Sequence, residues 1–128
     1  MPLKRASCQN SATLEDFYGQ FATSDDSVSA ELGSQMLSLL PLLSELCEPY
    51  QVWGLTSLCH LWLLAEDDWR SPWFVRISAF PNDQYRISYR NSQADDPDPD
   101  ALADDMASDL PTACQYILRG MKRSGGWS

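Results

Sequence analysis

The sequence lacks the residue groupings on which most metal and nucleotide sites depend. His60 is the single histidine, and the four cysteines include no C-x-x-C pair. A zinc site needs thiolates or imidazoles at close spacing, so we expect no metal centre. Gly125-Gly126 is the one pair of adjacent glycines, and because no helix follows it we expect no phosphate-binding loop. The sequence therefore predicts a protein without cofactors.

Long apolar segments are also lacking. The longest, residues 36–46, is interrupted by Pro41 and Glu45 and is too short to cross a bilayer. The residues that follow Lys4 and Arg5 are polar, so we expect no signal peptide. Scattered cysteines in apolar runs are typical of a reducing compartment. We therefore expect a cytoplasmic protein that does not bind membranes.

Positive charge is scarce. Nine lysines and arginines stand against eighteen aspartates and glutamates, which gives a net charge of −9 and a pI near 4.3. A field of this sign repels nucleic acids and attracts basic proteins. Solubility alone is the competing explanation. The composition thus argues against nucleic-acid binding and favours a protein partner with a basic surface.

What the sequence does contain is a succession of helix and strand patterns. We expect residues 1–12 to form a disordered leader and residues 13–128 to form a single α+β domain. Thr13 and Asp16 have the spacing of a capping box, which predicts a helix over residues 14–22.

A second helix is predicted to begin after Asp26 or Ser27, because apolar residues follow at helical spacing. Pro41 lies within it and removes a backbone donor, so we expect the helix to be kinked or split there. Pro49 is predicted to end it.

The middle of the chain changes to a period of two. Residues 73–80 and 85–90 alternate between apolar and polar, and Pro81-Asn82-Asp83 separates them, which predicts a β-hairpin. Residues 52–65 are apolar at both parities, which fits a buried strand or a helix, and we favour the strand.

A last helix is predicted from Asp98-Pro99, with an apolar stripe that continues through Pro111 as far as Met121 and ends before Gly125. It is expected to be one kinked helix or two nearly collinear ones. The predicted order is α, α, β, β, β, α. This order favours a two-layer α+β fold, an antiparallel three-stranded β-meander covered on one face by helices.

Acidic residues are concentrated near the predicted start of the last helix and in the loop before the hairpin. Capping and the helix macrodipole account for one or two of them, so the excess points to a basic partner. The loop lacks the spaced ligands and turn glycine of a calcium site. The predicted partner-binding residues are Asp95, Asp96, Asp98, Asp100, Asp104, Asp105, Glu66, Asp67, Asp68 and Trp69.

Arginines occupy alternate, polar positions along the two strands of the predicted hairpin. Arg76, Arg86 and Arg90 fall on the same side as Ser78 and Ser88. An exposed sheet face explains this pattern if the arginine stems cover aromatic surface. The alternative is an arginine face that pairs with acidic groups of a partner or of a second copy of the chain.

The hairpin, Trp73-Phe74-Val75-Arg76-Ile77 followed by Tyr85-Arg86-Ile87-Ser88-Tyr89-Arg90, and the tail Met121–Trp127 carry a resemblance. In these features the small acidic chain is similar to immunity proteins of bacterial polymorphic-toxin systems. The resemblance implies that the protein neutralises a cognate toxin by tight, non-catalytic binding, with acidic residues opposite a basic active-site cleft.

The leading hypothesis is therefore a non-catalytic binding protein, an immunity protein or inhibitor, present as a monomer or homodimer. One alternative is a type III-like secretion chaperone that wraps an effector segment as a dimer. Another is a small enzyme of unfamiliar type that uses the acidic loop or His60. A Cys59–His60 nucleophile pair is disfavoured, because neighbours on a strand point to opposite faces. A nucleic-acid mimic fits the aspartates but not the arginines.

Overall fold

The computed structural model describes residues 3–5, 13–48, 50, 52–57, 60–67, 74–89, 103–124 and 127. Within these residues the chain forms three helices and six strands. In chain order the elements are β1 (Leu3–Arg5), α1 (Leu14–Ala22), α2 (Ser27–Leu46), β2 (Val52–Ser57), β3 (His60–Leu64), β4 (Phe74–Phe80), β5 (Gln84–Tyr89), β6 (Ala103–Ala107) and α3 (Leu110–Ser124).

The described strands form one sheet whose spatial order is the chain order, β1 to β6. Each pair of adjacent strands from β2 to β6 is antiparallel, and β1 runs parallel to β2. The predicted α+β class is confirmed, but the predicted three-stranded meander is wrong. The apolar segment 52–65 forms two strands rather than one, because it is long enough to fold back on itself as a hairpin.

All three described helices pack on the same face of the sheet, which we call the covered face. Its strand residues include Leu61, Ile77 and Ile87, each with no exposed surface. They belong to one core cluster with apolar residues of α1, α2 and α3. Alternate residues of β3, β4 and β5 thus belong to the core, as the pleat of a sheet requires.

The first helix is confirmed at both ends. The Asp16 backbone N–H donates to Thr13 Oγ1 at 3.0 Å, and the Thr13 N–H donates back to the Asp16 carboxylate at 3.4 Å, which completes the capping box. Asp26 caps α2 by accepting a hydrogen bond from the Ser29 N–H. The helix then continues unbroken past Pro41, so a split there is wrong. Pro49 lies outside the described residues.

The predicted hairpin is confirmed as β4 and β5. Its turn places Asn82 and Asp83 in the left-handed region, with φ of 69° and 59°, which asparagine and aspartate tolerate better than most residues. Helix α2 holds the turn: the Gln35 side-chain amide donates to Phe80 O at 2.8 Å, and Glu31 accepts from the Asn82 N–H at 2.9 Å.

The predicted last helix is wrong in its first part. Residues 103–107 form β6, and residues 98–102 lie outside the described residues. Helix α3 begins only at Leu110, where the Asp109 carboxylate accepts from the Thr112 N–H at 2.8 Å. Pro111 is therefore in the first turn, where its missing N–H removes no helical hydrogen bond and the expected mid-helix proline does not arise.

Three residues of the segment predicted as a disordered leader are described. Leu3–Arg5 form β1, in register with Val52–Gly54 of β2. The edge of β2 offers backbone donors and acceptors, and a short segment can pair with them whatever its side chains are. The rest of the segment 1–12 lies outside the described residues.

Candidate functional site

Two of the predicted partner-binding aspartates are already paired within the molecule. Asp104 lies on β6, where it accepts hydrogen bonds from the Arg86 guanidinium, at 2.9 Å from Nη2, and from the Ser88 hydroxyl. Asp105 forms a 2.7 Å ion pair with Arg119 of α3. These hydrogen bonds from Arg86 and Ser88 lower the pKa of Asp104. Both carboxylates therefore offer a partner less uncompensated charge than the sequence suggested.

The other predicted site residues are not brought together with this pair. Glu66 and Asp67 are exposed in the turn after β3, and β4 and β5 separate that strand from β6, a spacing of about 14 Å. Within the described ranges, no group of three or more histidines, cysteines or acids could hold a metal ion. The remaining predicted residues lie outside the described residues: Asp68, Trp69, Asp95, Asp96, Asp98 and Asp100.

Among the described residues, a further group of seven acids lies on α1 and α2 and in the turns next to them, and we call this surface the acidic helical layer. Its acids are all exposed, and within the described residues none forms an ion pair with a basic side chain. They are Glu15, Asp16, Asp25, Asp26, Glu31, Glu45 and Glu48. This excess of acidic charge was visible in the sequence, because residues 6–69 contain no lysine or arginine.

The side of the sheet opposite the helices, which we call the open face, carries a polar network. Arg76 Nη2 donates to Ser88 Oγ at 3.3 Å, and Ser88 in turn donates to Asp104. On the next register row, His60 Nδ1 and Ser78 Oγ share a hydrogen bond of 2.5 Å. The network thus crosses four consecutive strands, β3 to β6.

This network is poorly arranged for nucleophilic catalysis. Ser78 is 2% exposed and Ser88 is fully buried, so neither hydroxyl can reach a substrate. Desolvation lowers the pKa of His60, and the positive charges of Arg76 and Arg86 lower it further. A neutral His60 imidazole could act as a base, but the Ser78 hydroxyl to which it is hydrogen-bonded is buried. The arrangement is that of a structural network.

The described thiols are equally unsuited to nucleophilic chemistry. Cys47 is fully buried, and that burial raises its pKa to about 12, with a smaller contribution from the nearby Cys114. Burial also raises the pKa of Cys114. A thiol must ionise to react, so both remain protonated at neutral pH. Cys8 and Cys59 lie outside the described residues.

The remainder of the open face is aromatic and apolar. Trp53, Leu55, Trp62 and Phe74 are half-buried there, and Leu64 among them is only 1% exposed. The rings of Trp62 and Phe74 lie 5.1 Å apart. The Arg76 guanidinium sits over the Trp62 ring at 5.4 Å, which joins the apolar part to the polar network. Sequence reasoning predicted the arginines of this face but not its tryptophans, because strand parity was undecided in segment 52–65.

Comparison of the chain with protein-family models, curated proteins and solved structures finds no match. Within the described residues, none of the helices combines the length and apolar character needed to cross a bilayer. Interpretation of the function therefore depends on the surfaces described above.

Proposed function

We propose that this protein is a non-catalytic binding protein that neutralises a basic protein partner, as an immunity protein or inhibitor does. The acidic helical layer is the observation that carries the proposal. It offers seven exposed acids and no basic residue on two packed helices and the turns that adjoin them. Such a surface attracts a cationic patch over a range of about 8–10 Å at physiological salt.

The charge of this layer exceeds what helix formation requires. Asp16 and Asp26 cap the two helices, and Glu31 binds the hairpin turn. The other four acids, Glu15, Asp25, Glu45 and Glu48, make no hydrogen bond among the described contacts that would explain them. Electrostatic steering is a physical use for such charge, since it accelerates association with a partner of opposite sign.

The arrangement of the reactive groups supports binding rather than catalysis. The serines of the open-face network are buried, the described thiols stay protonated, and His60 is committed to Ser78. A protein that works by stoichiometric neutralisation needs none of these groups to be reactive. It needs a rigid surface, which the shared core of helices and sheet supplies.

The test compares two variants of equal net charge. One neutralises the helical layer at Glu15, Asp25, Glu45 and Glu48, each changed to its amide. The other neutralises Asp95, Asp96, Asp98 and Asp100 in the same way, so each carries −5 instead of −9. Tagged protein would be used to capture partners from the source cells at low salt, and each captured protein would be purified and its affinity measured.

We expect a basic partner whose affinity falls steeply with salt and at least tenfold in the first variant. A loss in the second variant instead would support the same function through the acidic segment 95–100. Partners bound equally by both variants and by the unaltered protein, with no salt dependence, would contradict the proposal.

A further inference from the structure

The open face breaks the rule that a solvent-facing sheet surface is polar. An antiparallel sheet covered on one side normally alternates apolar residues inward and polar residues outward. Here Trp53, Leu55, Trp62 and Leu64 occupy the outward positions of β2 and β3, and Phe74 continues them on β4. Among the described residues, no helix packs on this face. Leu64 is buried, but the other four side chains keep part of their surface exposed, and a contiguous exposed apolar patch marks an interaction surface.

The charge distribution indicates what can approach this face. Two copies of a chain with a net charge of −9 repel each other, most strongly where the acidic helical layers meet. The described open face is different, because Arg76 and Arg86 outnumber Asp104 there. Approach of one open face to another is therefore the orientation that keeps the acidic layers farthest apart.

We propose that the open face is the interface at which two copies of this chain pack, sheet against sheet. Aligned sheets pack about 10 Å apart, and in a two-fold arrangement the same patch serves both copies. The tryptophans and Phe74 of one copy then contact those of the other. This inference goes beyond the proposed function, since it leaves an acidic helical layer free at each end of the dimer.

The exposed ion pair of the network suits a two-fold interface. The side chains of Arg86 and Asp104 are 42% and 40% exposed, so each retains unused hydrogen-bonding capacity. Across a two-fold axis, Arg86 of one copy can contact Asp104 of the other while the reciprocal pair forms at the same time. The face thus presents both charge signs beside an apolar area, which makes it self-complementary.

The size of the face predicts a dimer that dissociates on dilution. Four inter-strand steps of about 4.8 Å from β2 to β6 and strands of about 17 Å give a flat footprint of roughly 330 Å². Stable interfaces bury about 800 Å² of accessible surface per partner, which is more than twice this footprint. The interface therefore lies at the small end of the range, and we expect dissociation in the micromolar range.

Sedimentation velocity on the full chain tests the inference, with concentrations from about 1 μM to about 100 μM. We expect the mass to rise from 14.4 kDa towards twice that value. Leu55→Lys, which puts a charge in the apolar part of the open face, is expected to weaken dimerisation at least tenfold. Val28→Lys adds the same charge at a position 49% exposed on α2, and it should leave the dimer intact.

A second measurement uses the unaltered chain, so the inference stays testable if Leu55→Lys does not fold. On dilution, the indole N–H resonances of Trp53 and Trp62 and the ring resonances of His60 should shift, whereas amides of α1 and α2 should not. A monomer throughout the range would overturn the inference. So would shifts confined to the helices, dimerisation unaffected by folded Leu55→Lys, or a monomer whose indoles shift only when a different protein is added. No basic partner is present in these samples, so a failure here leaves the proposed function untouched.

Discussion

The two faces of the sheet are built from the same strands but differ in composition and in burial. On the covered face, Leu61, Ile77 and Ile87 are apolar, fully buried and packed against helices. On the open face, the neighbouring residues form a polar network at one end and an aromatic patch at the other. The difference separates the residues that hold the fold together from those that are available for contacts. The predictions below test that separation, beginning with the largest expected effect.

Truncation of the covered face should be the most costly change. Ile77→Ala removes a fully buried side chain, and we expect a loss of about 3 kcal/mol in the free energy of unfolding. Leu55→Ala removes a side chain of equal size from the half-buried open face, and we expect about 1 kcal/mol. Urea denaturation at low protein concentration measures both. Equal losses would show that the two faces are equally packed.

The covered face also depends on the close contact between α1 and α2. A Cβ at Gly33 would lie 2.5 Å from the Ala22 backbone nitrogen, so Gly33→Ala must push the helices apart. We expect a loss of about 2 kcal/mol. Gly19 lies in α1 with nothing within 4 Å of an added Cβ, so Gly19→Ala should instead stabilise by about 0.5–1 kcal/mol. Thermal unfolding of the pair gives the comparison, and a neutral Gly33→Ala would contradict the tight contact.

On the open face, Asp104→Asn should have a smaller effect that depends on pH. Because hydrogen bonds from Arg86 and Ser88 lower the pKa of Asp104, its contribution to stability is present above pH 4 or so and is lost as the pH falls through the lowered pKa. We expect a loss of about 1 kcal/mol at pH 7, and a difference from the unaltered chain that shrinks as the pH falls below about 4. Asp25→Asn, on the acidic helical layer, serves as the matched control and should be near neutral. A difference that persists in acid would exclude the ion pair as its cause.

The smallest effect is expected at His60. Its pKa is lowered in the folded chain, so the unfolded chain takes up a proton first and stability decreases as the pH falls below about 6.5. As the only histidine, His60 gives a single set of ring resonances whose NMR titration reports this pKa directly. Arg76→Gln should move the pKa upward towards its ordinary value. A His60 that titrates at or above 6.5 in the unaltered chain would contradict the proximity of the arginines.

Local signals in the sequence were sufficient for some elements and not for others. The capping box at Thr13 and the turn at Pro81-Asn82-Asp83 correctly predicted α1 and the β4–β5 hairpin, because each is decided by residues a few positions apart. Strand β6 was mistaken for helix, because Met106 and Leu110 happen to fit a helical stripe that Ala103–Ala107 does not follow in three dimensions. Pairing with β5 decides that segment, and pairing partners are not visible in local spacing.

The candidate site was predictable only in part. The hairpin parity correctly grouped Arg76 and Arg86 with Ser78 and Ser88 on one face. The pairing of Asp104 with Arg86 could not be foreseen, since it requires the register of a strand that was not predicted. The acidic helical layer was not predicted, because its acids are spread over residues 15–48, whereas the aspartates near residue 100 are close together in the sequence.

The bond between Gln35 and Phe80 has a consequence for the order of events during synthesis. The ribosome releases α1 and α2 well before β4 and β5, and a pair of helices can form from local contacts alone. Until the hairpin follows, the Gln35 amide is hydrated and α2 lacks β4, the strand on which it packs. Phe80, whose carbonyl accepts the hydrogen bond from Gln35, is synthesised 45 residues later, at the end of β4. We therefore expect the nascent chain to expose apolar surface of α2, and to be prone to aggregation, while the residues between Gln35 and Phe80 are being synthesised.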